Sequence, residues 1–229
     1  MGRVVFINGA EVAPERATVS VYDRGFLYGD SVFETVRSYG GKLFALDEHL
    51  QRLARSADSM GIALPLPMEA LAAEVRRAVA ASGNEDSYVR MMLTRGSGPL
   101  GLDPNLAGHP LRVIFVHALE APPAALYQRG VTVSCVQTVR ASDAAPSAKL
   151  GNYFASVLAL RTARARGAQE ALVVNRDGLV VEGTTSNVFV LRAGVLTTPP
   201  LSAGVLAGIT RAVVVDIIAD LGLAFEERA

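Results

Sequence analysis

The chain has 229 residues, half of them hydrophobic, with 22 basic and 22 acidic side chains. That length allows one large domain or two smaller ones with buried cores. The balanced charge offers neither the basic footprint of a nucleic-acid binder nor a charged tail. Cys135 is the only cysteine, which excludes intrachain disulfides and cysteine-rich zinc sites, and no metal site is expected. No apolar run approaches bilayer length, and the amino terminus runs directly into a short strand rather than a signal peptide, so a soluble cytoplasmic protein is expected.

Residues 3 to 46 read as β structure broken by turns. Asn8-Gly9 suits a two-residue hairpin, and Gly40-Gly41 separates Val32–Tyr39 from Lys42–Leu46. Asp47 is expected to N-cap a helix in which Leu50, Leu53, Ala54, Ala57 and Met60 recur at helical spacing up to Gly61. Met68 to Ser82 predicts a second amphipathic helix closed by Gly83. Tyr88–Thr94 and Leu111–Val116 read as strands. Ala118 to Gln128, with Pro122-Pro123, is the linker candidate, and Cys135 in the following strand reads as a buried structural thiol. A helix is predicted from about Tyr153 to Arg166, then strands at Glu170–Asn175, Leu179–Glu182 and Asn187–Leu191. A last helix opens near Ile209 and ends at Gly222. Strands and helices mix without a regular βαβ alternation, so two α+β domains fit better than a doubly wound sheet. Gly96-Ser97-Gly98-Pro99-Leu100-Gly101 matches a dinucleotide-binding glycine pattern, but the residues that follow are loop-forming. That pattern needs a helix to open there.

Chemistry concentrates in a few stretches. Lys149, in Pro146-Ser147-Ala148-Lys149-Leu150-Gly151-Asn152-Tyr153, is the only lysine after Lys42 in a chain that otherwise uses arginine. A lysine can lose its proton and form a Schiff base, whereas a guanidinium cannot, so Lys149 is the candidate covalent anchor for a carbonyl cofactor. A solvated loop lysine is the bland alternative. Asp23 to Arg37 is dense in glycine, aromatic and charged residues. Glu182-Gly183-Thr184-Thr185-Ser186-Asn187 places a carboxylate at a strand end before small hydroxylated residues. Gly208-Ile209-Thr210-Arg211 opens the last helix, where free N–H groups and the helix dipole suit a phosphate. His49, His109 and His117 need no catalytic role.

In order, Tyr-Gly-Asp-x-x-Phe-Glu, a helix arginine, Lys-x-x-Asn-Tyr, Glu-Gly-Thr-x-Ser-Asn and Gly-Ile-Thr resemble the fold-type IV pyridoxal-phosphate enzymes almost end to end. These are the branched-chain aminotransferases, D-amino-acid aminotransferases and aminodeoxychorismate lyases. The resemblance implies an α+β, D-amino-acid-aminotransferase-like fold. A small N-terminal α/β domain would span 1–117, a linker 118–128, and a larger β-barrel-like domain with helices 129–229. It implies pyridoxal 5'-phosphate as cofactor, held by Lys149 as an internal aldimine, with the lysine later shuttling a proton. Glu182 would pair with the ring nitrogen and Tyr153 with the phenolic oxygen. Arg52, Ile209 and Thr210 would bind the phosphate, with Ser186 and Asn187 supporting the ring.

Within the family, Leu100 and Leu102 stand where D-amino-acid enzymes carry an arginine and a histidine, and where lyases carry an arginine. Phe33-Glu34-Thr35 resembles the lyase and D-enzyme group, whereas Tyr88-Val89-Arg90 resembles the carboxylate-organising strand of branched-chain enzymes. An apolar Leu100/Leu102 loop suits an aliphatic substrate. The resemblance therefore favours transamination between a branched-chain or aliphatic L-amino acid and 2-oxoglutarate or another 2-oxoacid. Tyr28, Phe33, Tyr88, Arg90, Leu100 and Leu102 would be the substrate contacts. The alternatives are aminodeoxychorismate lyase, D-amino-acid aminotransferase and a degenerate, non-enzymatic cofactor-binding scaffold. A homodimer or higher homo-oligomer is implied, with the Tyr28 and Gly96–Pro104 regions serving a site, without nucleic-acid or membrane partners. Family members continue past the position of Ala229 with further strands, so the second domain is expected to be C-terminally incomplete.

Overall fold

The computed structural model describes residues 2–139 and 148–229. The chain separates into two compact units, one of residues 1–121 with 148–152 and one of residues 122–147 with 153–229.

The first unit begins with β1 (Val4–Ile7) and β2 (Ala10–Val12), then a five-residue helix α1 (Arg24–Tyr28). β3 (Ser31–Tyr39) and β4 (Lys42–Leu43) follow, then helices α2 (Leu46–Ser59) and α3 (Met68–Ser82), and strands β5 (Ser87–Thr94) and β6 (Leu111–Ala118). The strands form one antiparallel six-stranded sheet in the order β2-β1-β6-β5-β3-β4. Period-2 alternation divides its two faces. Val32, Val36, Val89, Met91, Leu93, Ile114 and Val116 point to the face that carries the helices. There they form one core with Leu50, Leu53 and Ala57 of α2 and Leu71, Val75 and Val79 of α3. Phe33, Thr35, Tyr88 and Arg90 alternate with these residues and so take the opposite face.

Helix α2 does not start on an Asp47 cap. Ala45, in a left-handed conformation (φ 50°, ψ 41°), is the N-cap and offers no side-chain acceptor. Asp47 instead lies in the first turn, where its charge complements the helix dipole. Within residues 3–46, expected to be β structure broken by turns, residues 24–28 are helical, capped by the Asp23 side chain at Gly25 N–H (2.8 Å) and closed by left-handed Gly29.

Residues 148–152 lie after the expected linker in sequence but group with the first unit. The cause is a short antiparallel pairing against the start of β3. Phe33 N–H donates to Lys149 C=O (3.0 Å), Gly151 N–H donates to Ser31 C=O (2.7 Å), and Leu150 bridges Val32. The approach is close enough that a Cβ on Gly151 would fall 1.9 Å from Ser31 Oγ. Leu150 packs against the core, so the residue before it is turned the other way. Pro146 and Ser147 lie outside the described residues.

The second unit contains α4 (Ala124–Arg129) within the segment expected to be a linker, then β7 (Val133–Gln137) and α5 (Phe154–Ala165). β8 (Glu170–Val174), β9 (Val180–Gly183), β10 (Val190–Arg192) and β11 (Val195–Thr198) follow, and α6 (Ile209–Asp220) and β12 (Phe225–Glu227) complete it. β8 pairs parallel with β7 and antiparallel with β9, and β11 pairs antiparallel with β10 and parallel with β12. Val136, Ala159, Ala163, Ala168 and Ala171 bury α5 on β7 and β8, while Val173, Val181 and Val205 form a second small cluster. Cys135 alternates with buried Val136 and is exposed, contrary to the buried thiol expected. Among the described residues, no helix is long and apolar enough to cross a membrane.

Candidate active site

In the first unit, the face of α2 turned to the sheet carries a polar stripe within an apolar one. His49, Arg52 and Ser56 recur at i, i+3 and i+7, all less than a tenth exposed. β3 supplies the matching carboxylate, because Glu34 occupies an inward position between Val32 and Val36 and is fully buried. Arg52 grips it with a fork, Nε to Oε1 at 2.6 Å and Nη2 to Oε2 at 2.7 Å, and His49 Nδ1 lies 2.7 Å from Oε2. Burial alone would push the Glu34 carboxyl up. The hydrogen bonds and charges of Arg52 and His49 outweigh it and hold Glu34 below the ordinary glutamate range.

Ser56, one turn beyond Arg52, accepts the Lys149 backbone N–H at 3.1 Å. The Lys149 side chain lies over the Phe33 ring, Nζ 4.7 Å from its centroid, and the Arg90 guanidinium carbon lies 3.9 Å from the same centroid. Both cations draw on the ring's negative face. Tyr88 Oη is 3.5 Å from Thr35 Oγ1 on this face of the sheet. Lys149, Phe33, Tyr88 and Arg90 thus line one surface, with Arg52 set on the helix side of β3.

Tyr28 and the 96–104 loop are joined within the same unit. Gly101 N–H donates to Tyr28 Oη (3.1 Å), and Arg24 donates to the Gly101 and Leu102 carbonyls. Arg24 and Arg95 converge on Asp30, and Arg95 also ties down the carbonyls of Met60 and Gly61. Burial would raise the Asp30 carboxyl, but these two arginines hold it below its ordinary value. Leu100 and Leu102 on this tethered loop are 68% and 80% exposed. No α-helix opens after the glycines, only a three-residue 3-10 turn at Pro104–Leu106, so the loop lacks the dinucleotide geometry.

In the second unit, Glu182 Oε2 accepts from Asn187 Nδ2 (3.2 Å) and from Leu206 N–H (3.1 Å), while Asn187 Nδ2 also reaches Leu206 C=O (3.0 Å). The carboxylate at the end of β9 is therefore oriented by two donors. Helix α6 starts beside it. A Cβ on its N-cap, Gly208, would fall 1.9 Å from Asn187 Oδ1, so the backbone is pressed against Asn187 there. Among the described residues, no side chain caps this helix start, which leaves the N–H groups at Ile209 and Thr210 placed to receive an anion. Thr210 is exposed. Ser186 is exposed and its carbonyl closes the turn by accepting Gly183 N–H (2.7 Å). Tyr153 is half-buried at the N-cap of α5.

Each unit carries groups of the kinds that pyridoxal phosphate chemistry uses, an amine and an oriented guanidinium in the first and an oriented carboxylate, a phenol and a helix start without a side-chain cap in the second. The sequence reading included Arg24, Asp30 and Glu34 in the stretch Asp23 to Arg37 without assigning them a task, and it overlooked Ser56. For Glu34 the signal was present, as a carboxylate in the inward register of an apolar strand requires a cation.

The family model for class IV amino-transferases matches residues 31–229. A Methanocaldococcus jannaschii protein provisionally named a branched-chain-amino-acid aminotransferase is 41% identical over 221 residues, covering 96% of this chain and 76% of that protein. The D-alanine aminotransferase of Bacillus licheniformis is 32% identical over 98% of this chain and 78% of its own length. Among solved structures, the branched-chain aminotransferase of Thermoproteus uzoniensis with norvaline superposes with a TM-score of 0.90 at 35% identity, covering 99% of this chain and 78% of that one. The branched-chain aminotransferase of Escherichia coli gives 0.87 at 27% identity, over 100% of this chain and 77% of that one.

Proposed function

The chain belongs to the class IV aminotransferases, and from that premise we propose that it moves the amino group between an aliphatic, branched-chain-type L-amino acid and 2-oxoglutarate or another 2-oxoacid, with Lys149 as the covalent anchor of pyridoxal phosphate. The observation that carries this reading is the lodging of Lys149. Its backbone is built into the edge of β3 and its amine lies over Phe33 beside Arg90.

When bound, pyridoxal phosphate supplies a carbonyl that condenses with amines and a ring that takes up the electrons left by a departing Cα proton. Lys149 Nζ would be the amine that holds the cofactor's carbonyl and, once released, the group placed to accept and return a proton. Glu182 holds a proton on the ring nitrogen, and Tyr153 donates to the phenolic oxygen. Arg52, its plane fixed by Glu34, would serve as a phosphate ligand, as would the N–H groups of Ile209 and Thr210 and the Thr210 hydroxyl. Ser186 and Asn187 support the ring. Tyr28, Tyr88 and Arg90 receive the substrate carboxylate, while Phe33, Leu100 and Leu102 offer apolar surface to its side chain. With 2-oxoglutarate as acceptor, the amino group ends on glutamate and the donor leaves as its 2-oxoacid, so the two half-reactions balance.

The branched-chain relatives and the apolar loop support the aliphatic L-substrate, and D-alanine is the competing donor. Lys149→Ala should abolish both the visible absorbance of bound cofactor and turnover of leucine. Normal leucine turnover by that variant would overturn the anchor assignment, and wild-type protein turning over D-alanine in place of leucine would overturn the substrate. A homodimer is also proposed. It is supported by the exposed apolar side chains Val19, Val21, Tyr22, Phe26, Leu100 and Leu102, carried by α1 and the loops of the first unit. A monomeric mass by light scattering would refute it.

A further inference from the structure

Ser56 is a hydroxyl where helix packing calls for a methyl. It is 1% exposed, on the face of α2 that also buries Leu53 and Ala57. A polar group so placed is retained only with a hydrogen-bond partner, and one that it serves is the Lys149 backbone N–H, 3.1 Å from Oγ. Lys149 also bonds β3, its carbonyl accepting Phe33 N–H at 3.0 Å, while Gly151 N–H bonds Ser31 on the far side of Leu150. The lysine is therefore held twice, by β3 through its C=O and by α2 through its N–H. These two holds fix the backbone on which its side chain stands.

We propose that Ser56 is a positioning residue for Lys149, keying the anchor lysine's backbone to the buried face of α2 one turn beyond Arg52. The proposal rests on the reading of Lys149 as the anchor and deepens it. Arg52 is itself immobilised, through its fork to buried Glu34. One helix then carries supports of both the amine and the guanidinium. A nucleophile held in place reacts faster than one that must be found by rotation, so loss of the support should appear in the rate of covalent capture before it appears in stability.

The test measures the rate at which pyridoxal phosphate, and separately pyridoxal without the phosphate, becomes fixed to Lys149 under borohydride, read by peptide mass. Melting temperature of the cofactor-free protein is measured alongside. Ser56→Ala should slow capture of both aldehydes about tenfold, the factor expected from losing one hydrogen bond to a partly buried donor. Ser56→Thr, which keeps the hydroxyl, should recover most of the rate. If Ser56→Ala does not fold, Ser56→Cys, of similar size but a weak acceptor, replaces it in the same comparison. Capture by Ser56→Ala at the wild-type rate, or slow capture by a folded Ser56→Thr, would overturn the positioning role. Wild-type protein that is not captured at Lys149 at all would instead overturn the anchor reading on which the proposal rests.

Discussion

The two units hold their functional side chains by different means. In the first, Glu34, His49, Arg52 and Ser56 are buried, and charged pairs and hydroxyls fix one another beneath a single continuous core. In the second, Glu182 and Asn187 are half-buried and are oriented by the backbone around Leu206 and the close approach at Gly208, beside two small clusters of alanine and valine. A site built from buried ion pairs resists displacement but fails abruptly when one partner is removed. One built from a side-chain amide wedged among backbone groups is sensitive to backbone crowding.

Mutations can break this contrast. The largest effect is expected for Glu34→Ala, which leaves Arg52 and His49 without their shared carboxylate in a buried site. It should destabilise the first unit by about 3–5 kcal/mol, measured by urea unfolding of the cofactor-free protein. A loss below about 1 kcal/mol would place Glu34 among ordinary surface pairs. Leu53→Ala should cost about 2–5 kcal/mol by opening a cavity in the same core. Hydrogen exchange should show the loss in β3 and β5 and leave β8 protected. Equal loss in β8 would mean that the units do not unfold separately.

Gly208→Ala probes the second style of construction. The added methyl must displace Asn187 Oδ1, and with it the donor that orients Glu182. Affinity for pyridoxal phosphate by spectral titration should fall about tenfold, as for one lost oriented hydrogen bond, with little change in cofactor-free melting. Unchanged affinity would uncouple Asn187 from the cofactor site.

The smallest effect is the dependence on acid. Glu34 and Asp30 both titrate below their ordinary values in the folded protein. Their contribution to stability is complete above the unfolded-state carboxylate pKa and is lost as pH falls through the folded-state values. Stability should therefore be flat near neutrality and decline below about pH 4. In Glu34→Gln that decline should be shallower, and an identical slope would remove Glu34 from the linkage.

Much of this was legible in the sequence, and the reasons are local. The spacing of Leu50, Leu53 and Ala57 and the glycine stops at 61 and 83 announce α2 and α3, because helical periodicity needs no tertiary information. Lys149, Glu182 and the Gly208 helix start stand out in the sequence as groups able to do chemistry, by residue type and by position at a strand end or helix start. What escaped depends on long-range pairing. The strip 148–152 reads as loop because so short a run carries no periodicity, and only the proximity of Ser31 and Phe33 makes it strand-like. Ser56 looks like an unremarkable helix residue until Lys149 is placed beside it. The Ala45 start of α2 was hidden because a left-handed alanine has no side-chain signature, while Asp47 two residues later mimics a cap.

The return of residues 148–152 to the first unit bears on how the protein is made. A unit whose sheet is formed by residue 118 but whose β3 start is bridged by residues 148–152 gains those last hydrogen bonds only after residue 121 has left the ribosome. It must wait with the start of β3 and the Ser56 hydroxyl uncovered until residue 152 emerges. The segment that seats the lysine amine is thus among the last parts of its own unit to be synthesised. The first unit therefore stands largely assembled before that lysine can be presented on it.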